Sequence, residues 1–212
     1  MFVRPCWQPW HAEAAFELIE SFPWALLVQN GDDGPFATNL PFILDRSRGP
    51  RGTLLGHIAR ANDHARVLDE ARGSALVVFE GPQSFITASW YPNRDMPGTY
   101  YYTAVHCHGR VRIQTPAELE ASLAALNAKM EGPLPNGWKM DEVPHSEIAR
   151  RLPSIVGFEV AIERLEAKFK LGQDEPLKDA LAVADHLAAS AESSAKVLAG
   201  MVRRANATRE AR

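Results

Sequence analysis

The stretch that decides the fold is YYTAVHCHGRVRI, residues 101–113, in which apolar and polar side chains alternate. The odd positions, from Tyr101 to Ile113, are mostly apolar, whereas the even positions carry His106, His108 and two arginines. A period of two is the side-chain spacing of a β-strand, and this stretch is longer than most strands. We therefore predict a long strand with one apolar face, of the kind that builds a barrel.

Further strands are predicted on both sides of it, joined by short turns. The sequence NGDDG, residues 30–34, contains the Asn-Gly and Asp-Gly pairs of tight hairpins, and a Gly81-Pro82 turn separates two more strands. The other predicted strands cover residues 24–29, 35–44, 53–58, 74–80, 84–88 and 154–172. Hairpin connections favour an antiparallel sheet, so we predict a mainly β chain with helices, an α+β antiparallel barrel.

Helices are predicted between and after these strands, over residues 9–22, over 63–71 and from Pro116 onward. The last of the three opens with Thr115-Pro116-Ala117-Glu118, which is a capping box with proline at the first helical position. From Pro176 the chain is alanine-rich with apolar residues at helical spacing. We therefore predict one domain over residues 1–174 and a helical C-terminal extension over residues 175–212.

One predicted strand changes the parity of its apolar residues partway along. Val156 to Ile162 are apolar at even positions, whereas Leu165 to Leu171 are apolar at odd positions. A β-bulge or bend produces such a shift, and it places Lys168 and Lys170 on one common face.

Composition excludes several classes of protein. The chain has 212 residues, of which 46% are hydrophobic, as expected of a globular protein. Its formal net charge of -3 gives it no general attraction for nucleic acid. Cys6 and Cys107 are too few for a disulfide framework or a zinc set, which predicts a reducing, cytoplasmic environment. We find no signal peptide, no apolar run of membrane-spanning length, and no Gly-rich nucleotide loop.

The sequence GHIARAN, residues 56–62, is a candidate anion site. It lies where a predicted strand passes into a predicted helix, and such a junction offers unpaired backbone N–H groups. Arg60 adds a bidentate donor suited to phosphate. The alternative is a helix cap at Asn62 beside a solvated arginine, and this stretch alone leaves both open.

His106 and His108 share one strand face, so a metal-dependent barrel enzyme is an alternative. The sequence offers no convincing further ligands from a second strand, and polar-face histidines with hydrogen-bond partners are the structural explanation.

Two other groups of residues have functional and structural explanations. Trp90 and Tyr91 are able to stack on a flat ring or to form a core cluster. Lys168 and Lys170 are able to bind a ligand or to protect a sheet edge against aggregation.

Five segments together resemble the PaiB-type FMN-binding proteins, a family also called negative transcriptional regulators. In chain order they are ATNLPFILD at 37–45, GTLLGHIARAN at 52–62, VVFEGPQSFITASWYP at 77–92, AVHCHGRVRI at 104–113 and IVGFEVAIERLEAKFKLGQ at 155–173. The resemblance covers about residues 1–173, and it implies a split β-barrel, a homodimer and FMN bound at the dimer interface.

The resemblance also implies the positions of the FMN-binding residues. It places His57, Arg60, Ala61 and Asn62 at the FMN phosphate, and Thr38, Asn39 and Leu40 along the ring system. It implies that Trp90, Tyr91, Tyr102, Lys168 and Lys170 close the pocket, some of them from the other subunit.

The chain departs from the family pattern at several positions. Asn39 stands where members often have His, and Tyr100-Tyr101-Tyr102 stands for Trp-Asn-Tyr. The family ending KWKLSQN is KFKLGQD here, with Phe169, Gly172 and Asp174 changed.

The resemblance implies a flavoprotein with an oxidoreductase or a regulatory role, and no residue is assigned as catalytic. The net charge and the lack of a basic recognition helix give little support to direct nucleic-acid binding. A transcriptional regulator that acts through a partner protein is the corresponding alternative.

Overall fold

The computed structural model of the chain describes residues 1–32, 34–69 and 74–210. The strands are β1 Trp24–Gly31, β2 Gly34–Pro41, β3 Ile43–Asp45, β4 Thr53–Ala59, β5 Ser74–Ile86, β6 Thr99–Ile113 and β7 Ile155–Lys170. The helices are α1 Glu13–Ser21, α2 His64–Asp69, α3 Pro116–Glu131, α4 His145–Arg151, α5 Leu177–Ala188 and α6 Ser193–Glu210. The fold is α+β, as the sequence predicts.

The strands form one seven-stranded sheet in the order β2-β1-β5-β6-β7-β4-β3. The predicted hairpin is confirmed, because β1 and β2 pair antiparallel with Gly31 opposite Gly34. Its second loop residue, Asp33, lies outside the described residues. The predicted strand over residues 35–44 is divided into β2 and β3 at Phe42, whose side chain is fully buried.

The predicted turn at Gly81-Pro82 is wrong, since β5 runs without interruption from Ser74 to Ile86. Gly81 serves a close approach instead. A Cβ built on it lies 2.2 Å from Thr103 Oγ1 and 2.8 Å from Leu18 Cδ1, so only glycine fits there.

The alternation predicted for residues 101–113 is confirmed in β6, where Tyr101, Val105 and Cys107 are fully buried. In β7 the buried apolar side chains up to Ile162 are at even positions, namely Val156, Phe158, Val160 and Ile162, whereas Phe169 beyond them is buried at an odd position. The predicted parity change is therefore present, and β7 carries Lys168 and Lys170 on one face.

The chain folds into two compact units, each assembled from segments that are distant in sequence. Unit 1 comprises residues 1–22, 79–105 and 166–212, and unit 2 comprises residues 23–78 and 106–165. The largest fully buried side chains of unit 1 are Leu18, Ile19, Phe79, Ile86, Tyr91, Tyr101 and Phe169, and those of unit 2 are Leu27, Phe42, Leu54, Leu68 and Phe158.

Some of the helices predicted from the sequence are present in the structure, and one further helix was not predicted. The capping box is confirmed, because the Glu118 amide donates to Thr115 Oγ1 at 3.3 Å and the Thr115 amide donates to Glu118 Oε2 at 2.8 Å. The described part of the predicted helix at 63–71 is α2, and residues 70 and 71 lie outside the described residues. The helical C-terminal extension is confirmed as α5 and α6, whereas α4 was not predicted.

None of the described helices combines the length and apolar composition that crossing a membrane requires.

Candidate functional site

The turn between β4 and α2 has a fixed backbone in unit 2. The Arg60 amide donates to the Ser154 carbonyl at 2.9 Å, and the Asn62 amide donates to the Ala59 carbonyl at 3.0 Å. Asn62 Oδ1 accepts from the His64 amide at 2.9 Å, so Asn62 has the capping role that the sequence indicates.

The Arg60 side chain is exposed and has a structural role in addition to any binding role. Its Nε donates to the Pro153 carbonyl at 2.8 Å, and its Nη2 donates to the Ile155 carbonyl at 3.2 Å. In the described part of the chain, neither Arg60 Nη1 nor the adjacent Ala61 amide donates to a protein acceptor. Two neighbouring donors on a fixed turn are therefore available to an anion.

A side-chain hydrogen bond between Thr38 and His64 links β2 to α2. Thr38 Oγ1 lies 2.9 Å from His64 Nδ1, and the Phe36 ring lies 5.8 Å from the imidazole between ring centroids. The His64 side chain is 1% exposed, and burial lowers its pKa, which keeps the ring neutral. His64 is not among the residues predicted from the sequence, where its only local signal is its position two residues after the cap at Asn62.

His64 Nε2 is buried and has no hydrogen-bond partner among the described residues. A buried polar nitrogen without a partner costs about 1–3 kcal/mol. Such an atom, on the residue two positions after Asn62, is a candidate hydrogen-bond partner for a polar ligand group.

The remaining predicted residues of unit 2 differ in orientation. Thr38 and Leu40 point to the buried side of β2, whereas Asn39 is exposed on the opposite face. Leu40 packs against β4, since a Cβ on Gly56 would lie 3.1 Å from its Cδ1. His57 is half-buried on β4, and burial lowers its pKa. The three-residue run at 38–40 therefore does not present one continuous surface to a ring.

In unit 1, Lys168 and Lys170 both lie close to the ring of Trp7. Lys168 Nζ lies 4.7 Å from the Trp7 ring centroid and 5.2 Å from that of Tyr102, and Lys170 Nζ lies 5.8 Å from Trp7. The Lys170 ammonium also donates a hydrogen bond to Thr99. Lys168, Lys170 and Tyr102 thus lie together, held by cation–π contacts.

Trp90 and Tyr91 have defined packing partners in unit 1. The Trp90 ring stacks on His186 with centroids 5.2 Å apart, and the Tyr91 hydroxyl donates to Glu175 Oε1 at 3.3 Å. Tyr91 is 1% exposed, so its ring is a core residue. A contact of either side chain with FMN stays a prediction.

His106 and His108 lie in unit 2 with ring centroids 6.5 Å apart and tilted by 59°. The metal site considered from the sequence stays a prediction, which metal analysis of the purified protein tests.

The residues of the turn fit the phosphate of FMN. Arg60 Nη1 and the Ala61 amide are donors, and the neutral imidazole of His64 leaves one nitrogen for a further hydrogen bond.

A cavity of about 890 Å³ in unit 2 lies elsewhere, between the end of α3 and the loop at residues 132–142.

The sequence matches a protein family and a named relative. The family model FMN_bind_2, described as "Putative FMN-binding domain", matches residues 1–164. The protease synthase and sporulation protein PAI 2 of Bacillus subtilis (strain 168) is 27% identical over 202 residues, which cover 95% of this chain and 96% of that protein.

Two solved structures are similar in fold. The conserved hypothetical protein Rv2991 from Mycobacterium tuberculosis has a TM-score of 0.59 at 14% identity, covering 83% of this chain and 94% of its own. The FAD and heme binding protein from Mycobacterium smegmatis has a TM-score of 0.55 at 17% identity, covering 76% of this chain and 72% of its own. The chain shares with them the split-barrel fold that the sequence predicts.

Proposed function

Since the chain belongs to the FMN-binding domain family whose model spans residues 1–164, we propose that it is a homodimeric flavoprotein that holds the FMN phosphate at the β4–α2 turn. One observation carries this placement: Arg60 Nη1 and the Ala61 amide are neighbouring donors without protein acceptors in the described part of the chain. Charge-assisted bonds from guanidinium and backbone N–H to phosphate are strong and directional.

The residues named from the sequence keep their assigned positions in this proposal. His57, Arg60, Ala61 and Asn62 lie at the phosphate end. Thr38, Asn39 and Leu40 follow along β2. Trp90, Tyr91, Tyr102, Lys168 and Lys170 are carried over from the sequence as FMN-binding residues, some of them in the other subunit.

FMN, when bound, supplies electron or hydride transfer, and the protein supplies orientation and electrostatics. We propose an oxidoreductase role on this basis. The chain's own part is to bind the phosphate, with the Arg60 side chain held by its hydrogen bonds to the Pro153 and Ile155 carbonyls. Free Cys6 and Cys107 support a location in the reducing cytoplasm.

A regulatory role through a partner protein is the second candidate. It is supported by the relative from Bacillus subtilis, whose name refers to protease synthesis and sporulation and which matches nearly the whole chain. The net charge of -3 favours a protein partner over direct contact with nucleic acid.

The experiment is a titration of the purified protein with FMN and with riboflavin, which lacks the phosphate. We expect visible flavin bands on binding and a clear preference for FMN. Replacing Arg60 by Ala should weaken FMN binding about ten- to a hundredfold, because a charge-assisted hydrogen bond is worth roughly 1.5–3 kcal/mol.

Arg66→Ala is the matched control, because Arg66 is an exposed cation on α2 with a 3.5 Å ion pair to Asp63. It should change the FMN affinity little. If the Arg60→Ala and Arg66→Ala variants bind FMN with equal affinity, the FMN phosphate does not bind at this turn. A protein that binds neither FMN nor riboflavin would contradict the proposed function.

A further inference from the structure

We propose that His64 is a phosphate-binding residue whose Nε2 donates a hydrogen bond to the FMN phosphate, and that Thr38 is the positioning residue that fixes its tautomer. This inference rests on the proposed function. It adds a residue that the family motif does not assign, and it gives Thr38 a different role from contact with the ring system.

One nitrogen of His64 is buried without a hydrogen-bond partner. The His64 side chain is 1% exposed, its Nδ1 is 2.9 Å from Thr38 Oγ1, and its Nε2 has no partner among the described residues. A histidine that only packed the core would leave this nitrogen unsatisfied at a cost in stability. A phosphate oxygen would satisfy it in a low-dielectric setting where the bond is strong.

The backbone of His64 is linked to the turn. The His64 amide donates to Asn62 Oδ1 at 2.9 Å, so the backbone of His64 is held to the segment that carries Arg60 and Ala61. Neighbouring protein atoms leave Nε2 almost no contact with solvent. A phosphate oxygen therefore reaches it only when one of them moves aside.

The hydrogen bond to Thr38 bears on which nitrogen of His64 carries the proton. A neutral imidazole carries one N–H, and the hydrogen bond of one ring nitrogen decides which nitrogen is protonated. When the Thr38 hydroxyl donates to Nδ1, the proton lies on Nε2, which then becomes a donor. An anion that accepts a hydrogen bond from Nε2 favours the tautomer with the proton on Nε2. The hydrogen bond that Nδ1 accepts from Thr38 favours the same tautomer.

Two substitutions separate binding from structural support. The amide oxygen of Asn takes the approximate place of Nδ1 and accepts from the Thr38 hydroxyl, so His64→Asn keeps the bond to Thr38 and loses the group at Nε2. The amide of Gln reaches the place of Nε2, so His64→Gln keeps the donor to phosphate and loses the bond to Thr38.

We expect His64→Asn to weaken FMN binding about tenfold or more, since a hydrogen bond to a charged group is lost. His64→Gln should restore most of the FMN affinity, and riboflavin affinity should be the same in both variants. Thr38→Val, which removes only the hydroxyl, should weaken FMN binding severalfold.

The opposite pattern would overturn the inference. If His64→Asn binds FMN like the unmodified protein and His64→Gln lowers the melting temperature, His64 is a structural residue, while the preference for FMN over riboflavin still supports the proposed function. If the unmodified protein does not prefer FMN, the proposed function itself fails.

A measurement without substitutions decides the case in which the variants do not fold. In the unmodified protein with labelled histidine, nitrogen NMR should show the His64 Nε2 resonance shifting on addition of FMN and not on addition of riboflavin. An unchanged resonance at saturating FMN would refute the contact.

Discussion

Gly172 and Tyr101 meet at a contact that leaves no room for a side chain on the glycine. Gly172 has φ +79°, and a Cβ built on it lies 2.4 Å from Tyr101 Oη. Both positions depart from the PaiB-type pattern, which has Ser and Asn there. The large residue on β6 and the glycine after β7 therefore compensate each other.

We predict that Gly172→Ala destabilises the protein by at least about 1–2 kcal/mol, because a left-handed conformation carries this cost for a residue with a Cβ. The steric overlap adds to it. In a Tyr101→Asn background the substitution should cost less, since the overlap disappears while the backbone cost stays. Urea unfolding of the four proteins measures the coupling, and strictly additive effects would contradict the compensation.

Glu175 gives a residue-scale prediction about pH. Burial raises the pKa of its carboxyl above the ordinary value of 4.5, although the hydroxyls of Tyr101 and Tyr91 donate hydrogen bonds to it. The folded state then binds this proton more tightly than the unfolded state does. Between pH 4.5 and the raised pKa, the Glu175 contribution to the free energy of unfolding therefore falls as pH rises.

The Glu175→Gln variant should lack this contribution. Its melting temperature should fall less than that of the unmodified protein when the pH rises from about 4.5 to 7. Thermal denaturation at closely spaced pH values measures the difference. Parallel pH profiles would show that the Glu175 pKa is not raised.

At the scale of elements, the C-terminal extension forms part of the core of unit 1. Leu187, Leu198 and Val202 are at most 1% exposed. Asn206 Nδ2, on α6, donates to the Leu171 carbonyl at 3.0 Å, and Arg209 Nη2 donates to the Glu175 carbonyl at 2.6 Å. The extension thus closes the end of β7.

We predict that truncation after Asp174 yields a protein with no cooperative unfolding transition, because it exposes this part of the core. As a milder test, Asn206→Ala should cost about 1–3 kcal/mol, since it leaves the buried Leu171 carbonyl without this donor. Arg203→Ala is the control, because Arg203 and its partner Asp185 are exposed. A cooperative transition for residues 1–174 would support the predicted domain boundary instead.

At the scale of the whole molecule, exposed aromatic residues accord with the proposed homodimer. Trp24 is 61% exposed, and Phe85 and Tyr100, which contact each other edge to face, are 53% and 55% exposed. Light scattering should give twice the chain mass of 23.4 kDa at micromolar concentration. A monomer under these conditions would contradict a shared flavin site, even if FMN still binds.

The sequence by itself determined the features that depend on local chemistry. The alternation at residues 101–113, the turn at residues 30–34 and the capping box at Thr115 each specify backbone geometry within a few residues, and the structure has all three. The motif-bearing segments also determined the family, and with it FMN as the cofactor.

Tertiary structure alone decided what depends on contacts between distant segments. Gly81-Pro82 has the composition of a turn, yet β5 continues through it, and Thr103 and Leu18 approach the glycine there. His64 became a candidate ligand only when α2 packed beside Thr38, and Arg60 gained its anchors from the chain at Pro153. Burial and hydrogen-bond partners are set by residues far away in sequence, and no local pattern encodes them.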